Sequence, residues 1–116
     1  MLKHCRECAK SLGVYLEVGA GSGVYAGLVR DSGVFDRVLA IEPAAALAAD
    51  CRNIGLETLE MPIERAKPLK TDVAASFEVL EHLFSPRDFV RHMHAALAPG
   101  GLCILTTPNG LGPDVR

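Results

Sequence analysis

The sequence predicts an α/β domain whose mostly parallel sheet is doubly wound, with helices on both faces. Three observations predict it. Short apolar segments alternate with segments of helical composition along the 116 residues. The candidate strands are mostly apolar, which is typical of a sheet covered on both faces. A glycine-rich loop, "GAGSG", joins the first strand to the next helix, and folds of this kind bind ligands at the carboxyl ends of their strands.

The predicted elements follow in a regular order. An amphipathic helix over residues 2–12 comes first. The predicted strands are 14–18, 37–42, 56–61, 73–77 and 102–107. The predicted helices after the first strand are 24–33, 44–53 and 86–97, with Gly33 and Gly55 placed to end the first two. Pro43 is expected in the first turn of its helix, and "APGG" (98–101) predicts a turn before the last strand.

Apolar spacing predicts which helix faces are buried. Helix 24–33 carries Val24 and Leu28 four residues apart, with Tyr25 and Val29 beside them. We expect this face to pack on the sheet. In helix 86–97 the residues expected to point inward are Phe89, Val90, Met93 and Leu97.

Length and charge limit what the chain can be. Its 116 residues predict one domain, 1–116. A net charge of -2 and a pI near 6.0, with no Lys/Arg block, argue against a nucleic-acid or anionic-membrane partner. No apolar run reaches the ~18 residues that span a bilayer. Residues 1–13 are too polar for a secretory signal, so we expect a cytoplasmic protein.

The cysteines and histidines do not predict a complete metal site. Cys5 and Cys8 form one C-x-x-C, and no second ligand pair has matching spacing. The pair is expected to belong to the first helix, although half of a site completed by another chain stays open. Cys51 and Cys103 lie in apolar stretches and are expected to be buried. His92 and His94 are expected to be solvated.

The glycine loop narrows the class of ligand. Gly19, Gly21 and Gly23 follow a strand and precede a helix, where backbone amides bind ligands. The dinucleotide fingerprint G-x-G-x-x-G/A would place a small residue at position 24, where this chain has Val24. A dinucleotide is therefore disfavoured.

Two acidic residues indicate a different ligand. Glu17 lies two residues before Gly19, where a carboxylate repels a pyrophosphate and attracts an ammonium or sulfonium group. Glu42 ends the second strand, where an acid in such folds accepts the hydroxyls of a ribose. The alternatives without a ligand are that Glu17 is solvated and that Glu42 complements the dipole of the following helix. A cation near Glu17 and a ribose at Glu42 together describe S-adenosylmethionine.

Four segments carry a family resemblance. "LEVGAGSG" resembles motif I of class I S-adenosylmethionine-dependent methyltransferases, and "LAIEP" is similar to their ribose-binding motif. "DVAASFEVLEHL" and "HAALAPGGLCILTTPN" resemble the fourth-strand and fifth-strand segments of the branch that includes ubiquinone-biosynthesis O-methyltransferases. The segments cover most of residues 14–109 in family order. The resemblance implies a Rossmann-like core with strand order 3-2-1-4-5.

The resemblance also implies roles for individual residues. Gly19, Gly21 and Gly23 would approach the methionine and ribose parts of S-adenosylmethionine, or of the product S-adenosylhomocysteine, with Ala20 of the same loop also binding the cofactor. Glu17 would lie near the methionine ammonium, and Phe77 and Glu78 would face the methionine and substrate side. The ribose would lie at Glu42 beside Pro43, and the adenine at Ile63 and Glu64. His82 would lie near the acceptor as a base or hydrogen-bonding group, or would instead support the start of the helix or the cofactor site. The acceptor is expected to be a small molecule, and no residue is expected to bind a metal.

The family's sheet usually continues past the fifth strand into an antiparallel hairpin, which residues 108–116 are too few to form. We therefore expect a C-terminally truncated domain with weak or absent turnover. Its fifth strand would be an open edge that allows a homodimer. Two alternatives stay open: a non-catalytic remnant that binds partners through this edge, and a nicotinamide-dependent oxidoreductase, which Glu17 and Val24 disfavour.

Overall fold

The computed structural model describes residues 12–67, 69–77, 79 and 83–106. Its strands are β1 (Val14–Val18), β2 (Arg37–Ile41), β3 (Glu57–Leu59), β4 (Thr71–Phe77) and β5 (Leu97–Thr106). Its helices are α1 (Val24–Asp31), α2 (Ala45–Asn53) and α3 (Pro86–Ala95), with a 3-10 turn at Ile63–Arg65. All neighbouring strands pair in parallel, in the order β3-β2-β1-β4-β5. The predicted fold class and strand order are confirmed.

Each face of the sheet has its own apolar core. Because side chains alternate along a strand, Tyr15 of β1 points to one face and Leu16 to the other, and both are fully buried. Tyr15 packs in the cluster that includes α1 and α2, with its ring 5.2 Å from that of Phe35. Leu16 packs with Phe89 and Met93 of α3. The central strand β1 is therefore held from both sides.

Most helix ends lie where the sequence predicts. Helices α1 and α2 end just before Gly33 and Gly55, and α3 begins at Pro86. Pro43 was expected inside the first turn of α2, and this is wrong, because Ala44 still has an extended backbone and the helix begins at Ala45. The predicted helix over residues 2–12 lies outside the described residues except for Leu12.

The expected buried face of α1 is wrong except at Val29, which is buried. Val24, Tyr25 and Leu28 are 60–64% exposed. The other residues that face the sheet are Ala26 and Gly27. Small side chains allow the helix to approach the sheet closely, which turns the larger apolar residues outward. On α3, Phe89 and Met93 are buried as expected, but Val90 is exposed and Leu97 already belongs to β5.

The last strand also differs from its prediction. Strand β5 begins at Leu97, which pairs with Thr71 of β4. The next pair along the two strands is Leu102 with Val73. The "APGG" residues thus form a bulge within the strand, opposite the single residue Asp72. Cys103 is exposed rather than buried. None of the helices in the described segments is long and apolar enough to span a membrane.

Candidate functional site

The carboxyl ends of the strands meet at one edge of the sheet, and the glycine loop lies there. The loop, residues 19–23, runs from β1 to α1. The Gly19 and Ala20 amides both donate to the Ile41 carbonyl of β2, at 2.8 and 3.2 Å. The Ser76 hydroxyl of β4 donates to the Val18 carbonyl at 2.8 Å. The loop is therefore anchored to β2, and the end of β1 that precedes it is anchored to β4.

Two of the loop glycines are required by close packing. A Cβ on Gly19 would lie 2.6 Å from a methyl group of Val79, and one on Gly23 would lie 2.8 Å from Leu56. Both glycines have positive φ angles, 71° and 90°, which side chains rarely adopt. At Gly21 nothing lies within 4 Å of such a Cβ. Gly21 therefore faces open space, where a ligand can approach the backbone.

Among the described residues, two backbone amides hold the Glu42 side chain. Its side chain is 6% exposed. Its Oε1 accepts a hydrogen bond from the Gly21 amide at 2.8 Å, and its Oε2 accepts one from the Ala44 amide at 2.9 Å. The carboxylate thus links the glycine loop to the start of α2, where the positive end of the helix dipole favours a negative charge. Each carboxylate oxygen has a second lone pair for ligand hydroxyls.

Glu17 is more deeply buried than Glu42, with 2% of its surface exposed. Its Oε1 accepts a hydrogen bond from the Tyr15 hydroxyl at 2.8 Å. Burial raises the pKa of Glu17 to about 7, and the tyrosine hydrogen bond partly opposes the rise. Near neutral pH this carboxyl group is therefore poised between its neutral and charged forms. A cation beside it would favour the charged form.

Two cavities adjoin Gly19, one on each side of the loop. The first, about 330 Å³, is lined by Glu17, Gly19, Ala20, Gly21, Ser22, Val24, Tyr25 and Phe77. The second, about 220 Å³, is lined by residues that include Gly19, Glu42, Pro43, Ile63, Glu64 and Val79. We call them the Glu17 cavity and the Glu42 cavity. Each cavity contains one of the two acidic residues, so an elongated ligand passing Gly19 would meet a carboxylate at both ends.

Most of the residues predicted for the site come together here. Gly23 lines neither cavity, because Leu56, Cys51 and Ile54 surround the place of its side chain. Glu78 and His82 lie outside the described residues, as do Cys5 and Cys8. His92 and His94 lie on α3, and among the described residues no group of three or more His, Cys, Asp or Glu could hold a metal ion.

Several residues that support the glycine loop and the Glu17 cavity were not predicted from the sequence. The Cys51 thiol of α2 donates to the Gly21 carbonyl at 3.1 Å, so Cys51 supports the loop as well as filling the core. The Tyr25 ring lies 5.3 Å from the Phe77 ring in the wall of the Glu17 cavity. Tyr15 holds Glu17 from below. Of these three, only the position of Tyr15 beside Glu17 was predictable from the sequence, because residues two apart on a strand share a face.

The residues present fit a cationic nucleoside. Glu42 offers carboxylate oxygens to hydroxyl groups, Glu17 offers a carboxylate to a cation, and Gly21 leaves room between them. A pyrophosphate fits the Glu17 cavity poorly, because a buried acidic group repels it. The chemistry of these two carboxylates, which accept hydrogen bonds and attract cations, matches S-adenosylmethionine.

Comparisons with known proteins show the family to which the chain belongs. A family model described as a methyltransferase domain matches residues 2–114. A probable S-adenosylmethionine-dependent methyltransferase of Mycolicibacterium smegmatis is 33% identical over 103 residues, which cover 81% of this chain and 37% of that protein. The chain thus spans little more than a third of this curated relative's length.

Solved structures show the same fold. The S-adenosylmethionine-bound aminopentose methyltransferase CalS10 of Micromonospora echinaspora superposes with a TM-score of 0.83 at 24% identity, covering 97% of this chain and 49% of that one. DesVI of Streptomyces venezuelae superposes with a TM-score of 0.81 at 16% identity, covering 99% and 50%. The resemblance to class I S-adenosylmethionine-dependent methyltransferases, predicted from four segments, is confirmed.

Proposed function

The chain belongs to the methyltransferase domain family, and we propose that it is the cofactor-binding part of an enzyme that transfers a methyl group from S-adenosylmethionine to a small-molecule acceptor. One observation carries the proposal: Glu17 and Glu42, at the ends of neighbouring strands, each line one of two cavities that adjoin Gly19. The cofactor supplies a methyl group already activated on a sulfonium. The protein must therefore align the reactants and exclude water.

The two cavities would divide the cofactor between them. Glu42 would accept hydrogen bonds from the ribose hydroxyls, and Ile63 and Glu64, which line the same cavity, would lie beside the adenine. Glu17 would attract the methionine ammonium, and Phe77 and Tyr25 line the same cavity as Glu17. The role of His82 as a base for the acceptor stays a prediction.

The methyl acceptor is proposed to be a small molecule. CalS10, which shares the fold, is named as an aminopentose methyltransferase, and this supports a small-molecule acceptor for the present chain as well. The matched region covers only 37% of the Mycolicibacterium smegmatis relative. We therefore propose that acceptor recognition needs segments beyond this domain, and that residues 1–116 alone turn over weakly. The cytoplasmic location stays a prediction, checked by cell fractionation.

Replacing Glu42 tests the binding mode. Glu42→Gln keeps the shape of the side chain but removes the charge that accepts the ribose hydroxyls and the Gly21 amide. We expect affinity for S-adenosylmethionine and S-adenosylhomocysteine to fall by the same factor, about tenfold or more, because the ribose is common to both. Isothermal titration calorimetry measures both affinities.

Glu60→Gln is the matched control. It makes the same chemical change at an exposed position, where Glu60 pairs with Arg52, and it should leave both affinities unchanged. Equal affinities of wild type and Glu42→Gln would remove the ribose role of Glu42. Absence of binding by the wild-type protein, together with binding of NADH, would instead favour the oxidoreductase alternative.

A second function rests on the far edge of the sheet. Strand β5 is the last strand on its side within the described residues, and Cys103 on it is exposed. An open strand edge offers backbone groups to another chain. This supports the alternative of a partner-binding domain, or of a homodimer formed through β5.

A further inference from the structure

Tyr15 and Glu17 form a buried pair beneath the Glu17 cavity. They lie two residues apart on β1 and so point to the same face of the sheet. Tyr15 is fully buried, and its ring packs against Phe35 at 5.2 Å. Its hydroxyl donates to Glu17 Oε1 at 2.8 Å. The ring contact fixes the direction of the hydroxyl, so the tyrosine can orient the carboxyl group.

The other oxygen of Glu17 is left for a ligand. Within the described residues, the Glu17 side chain accepts its hydrogen bond from the Tyr15 hydroxyl, and Oε1 is the oxygen that accepts it. No side-chain oxygen or nitrogen in the described part of the chain is both sealed from solvent and without a partner. The open space that Glu17 lines is the Glu17 cavity, so Oε2 is the oxygen that we expect to face a ligand there.

The groups around Glu17 include no described cation. Phe77 of β4 and Tyr25 of α1 line the same cavity. On α2, burial raises the pKa of the Cys51 thiol, and the charges of Glu42, Glu17 and Asp50 raise it further, opposed by Arg52. Glu42 lies across the loop with both oxygens bonded to backbone amides. The Tyr15 hydroxyl is therefore the described group that stabilises a charge on Glu17.

We propose that Tyr15 is a positioning residue of the cofactor site, whose hydroxyl holds Glu17 Oε1 so that the ionised carboxylate presents Oε2 to the ammonium of the methionine moiety. The inference rests on the proposed function, because it needs a cationic ligand in the Glu17 cavity. It adds a residue that contacts no ligand itself and acts through the acid.

The pair makes cofactor affinity depend on pH. The pKa of Glu17 is about 7, and only the charged form attracts an ammonium group. Affinity therefore falls as the pH drops below about 7. A hydrogen bond to the charged form lowers the pKa of an acid. Loss of the Tyr15 hydroxyl would thus raise the pKa of Glu17 and move the fall in affinity to higher pH.

Tyr15→Phe tests the inference, because it keeps the ring and removes only the hydroxyl. The measured quantity is the ratio of variant to wild-type dissociation constants for S-adenosylhomocysteine across a pH series. If the pKa rises by about one unit, the ratio is about ninefold at about pH 6, about fivefold at about pH 7 and close to one at about pH 9. The ligand's own amino group, which titrates near about 8, cancels in this ratio.

Two controls separate positioning from a general structural defect. Tyr25→Phe removes the hydroxyl of the chain's other tyrosine, and its ratio should not vary with pH. 5′-Methylthioadenosine lacks the amino acid portion, so its affinity should be insensitive to Tyr15→Phe at every pH. In a Glu17→Gln background, Tyr15→Phe should leave a ratio that does not vary with pH.

The outcomes are distinct. A Tyr15→Phe ratio that stays constant from acid to alkaline pH would overturn the inference. If that variant does not fold, the pH dependence of the wild-type dissociation constant is the test. A wild-type affinity that does not change at about pH 7 would contradict a titrating Glu17. The same pH dependence in Glu17→Gln as in wild type would contradict it too. Failure of wild type to bind either nucleoside at any pH would count against the proposed function itself.

Discussion

At the scale of single residues, the burial of Glu17 makes the charged form of its carboxyl group unfavourable. Glu17 is almost fully buried, and burial raises its pKa to about 7. A carboxyl group gains its charge with difficulty in such surroundings. A bound ammonium group would offset this cost. Glu17, which we propose attracts the cationic end of the ligand, is therefore expected to destabilise the protein without ligand.

We expect Glu17→Gln to stabilise the protein at neutral and alkaline pH. The pKa of Glu17 is higher in the folded protein than in the unfolded chain, where it is near 4.5. The wild-type free energy of unfolding therefore keeps its full value, as far as Glu17 is concerned, below about pH 4.5. It decreases as the pH rises through about 7, because the buried carboxyl group then becomes charged. Glutamine does not titrate, so the variant's free energy of unfolding should exceed that of wild type by up to about 3 kcal/mol above this range.

Urea denaturation at several pH values measures this difference. Glu60→Gln makes the same change on the surface and should follow the wild-type curve, since an exposed ion pair contributes little. Parallel pH dependences for wild type and Glu17→Gln would mean that Glu17 does not titrate in this range. Cofactor affinity should fall in the stabilised variant, so the two effects have opposite signs.

At the scale of elements, sequence patterns located the helices better than their buried faces. The i, i+4 pair Val24 and Leu28 resembles an inward stripe, yet both residues are exposed. The inward positions are Ala26, Gly27 and Val29. A Cβ on Gly27 would lie 3.3 Å from Ile54. Close approach selects small residues, and a hydrophobicity pattern gives such residues little weight.

Two valines of α1 provide a matched test of this orientation. Val29 is 3% exposed and Val24 is 64% exposed, so the same substitution probes opposite faces of one helix. Val29→Ala should lower the free energy of unfolding by about 2 kcal/mol through lost burial and a residual cavity. Val24→Ala should change it by less than about 0.5 kcal/mol, because alanine also favours the helix.

Chemical denaturation measures both variants at one pH. Equal losses of stability, or a larger loss for Val24→Ala, would contradict the orientation of α1. Because Val24 lines the Glu17 cavity, its substitution is expected to affect ligand affinity rather than stability. The two readouts therefore separate the packing face of the helix from its cavity face.

At the scale of the whole molecule, topology made most of the site predictable. Parallel strands bring their carboxyl ends to one edge, so the order of elements was enough to place Glu17, Glu42 and the glycine loop together. The partners of these residues were not predictable in the same way. The contacts of Cys51 with Gly21 and of Tyr25 with Phe77 join separate elements. They depend on helix rotations that the sequence does not specify.

The edge of the sheet gives the last prediction. Strand β5 ends the sheet within the described residues, and Cys103 is exposed on it. Pairing of two β5 strands would satisfy backbone groups along this edge. We expect sedimentation velocity to show a dimer that grows with protein concentration. Cys103→Lys should shift it toward monomer, because it places like charges near each other across the new pair.

Leu28→Lys is the control for this experiment, since it adds the same charge at an exposed site on α1 and should leave the dimer intact. A monomer at every concentration would exclude pairing through β5. Dimerisation with S-adenosylmethionine binding would mean that the edge and the cofactor site act in one enzyme. Dimerisation without nucleoside binding would favour the partner-binding alternative, because the β5 edge would then be used while Glu17 and Glu42 held no ligand.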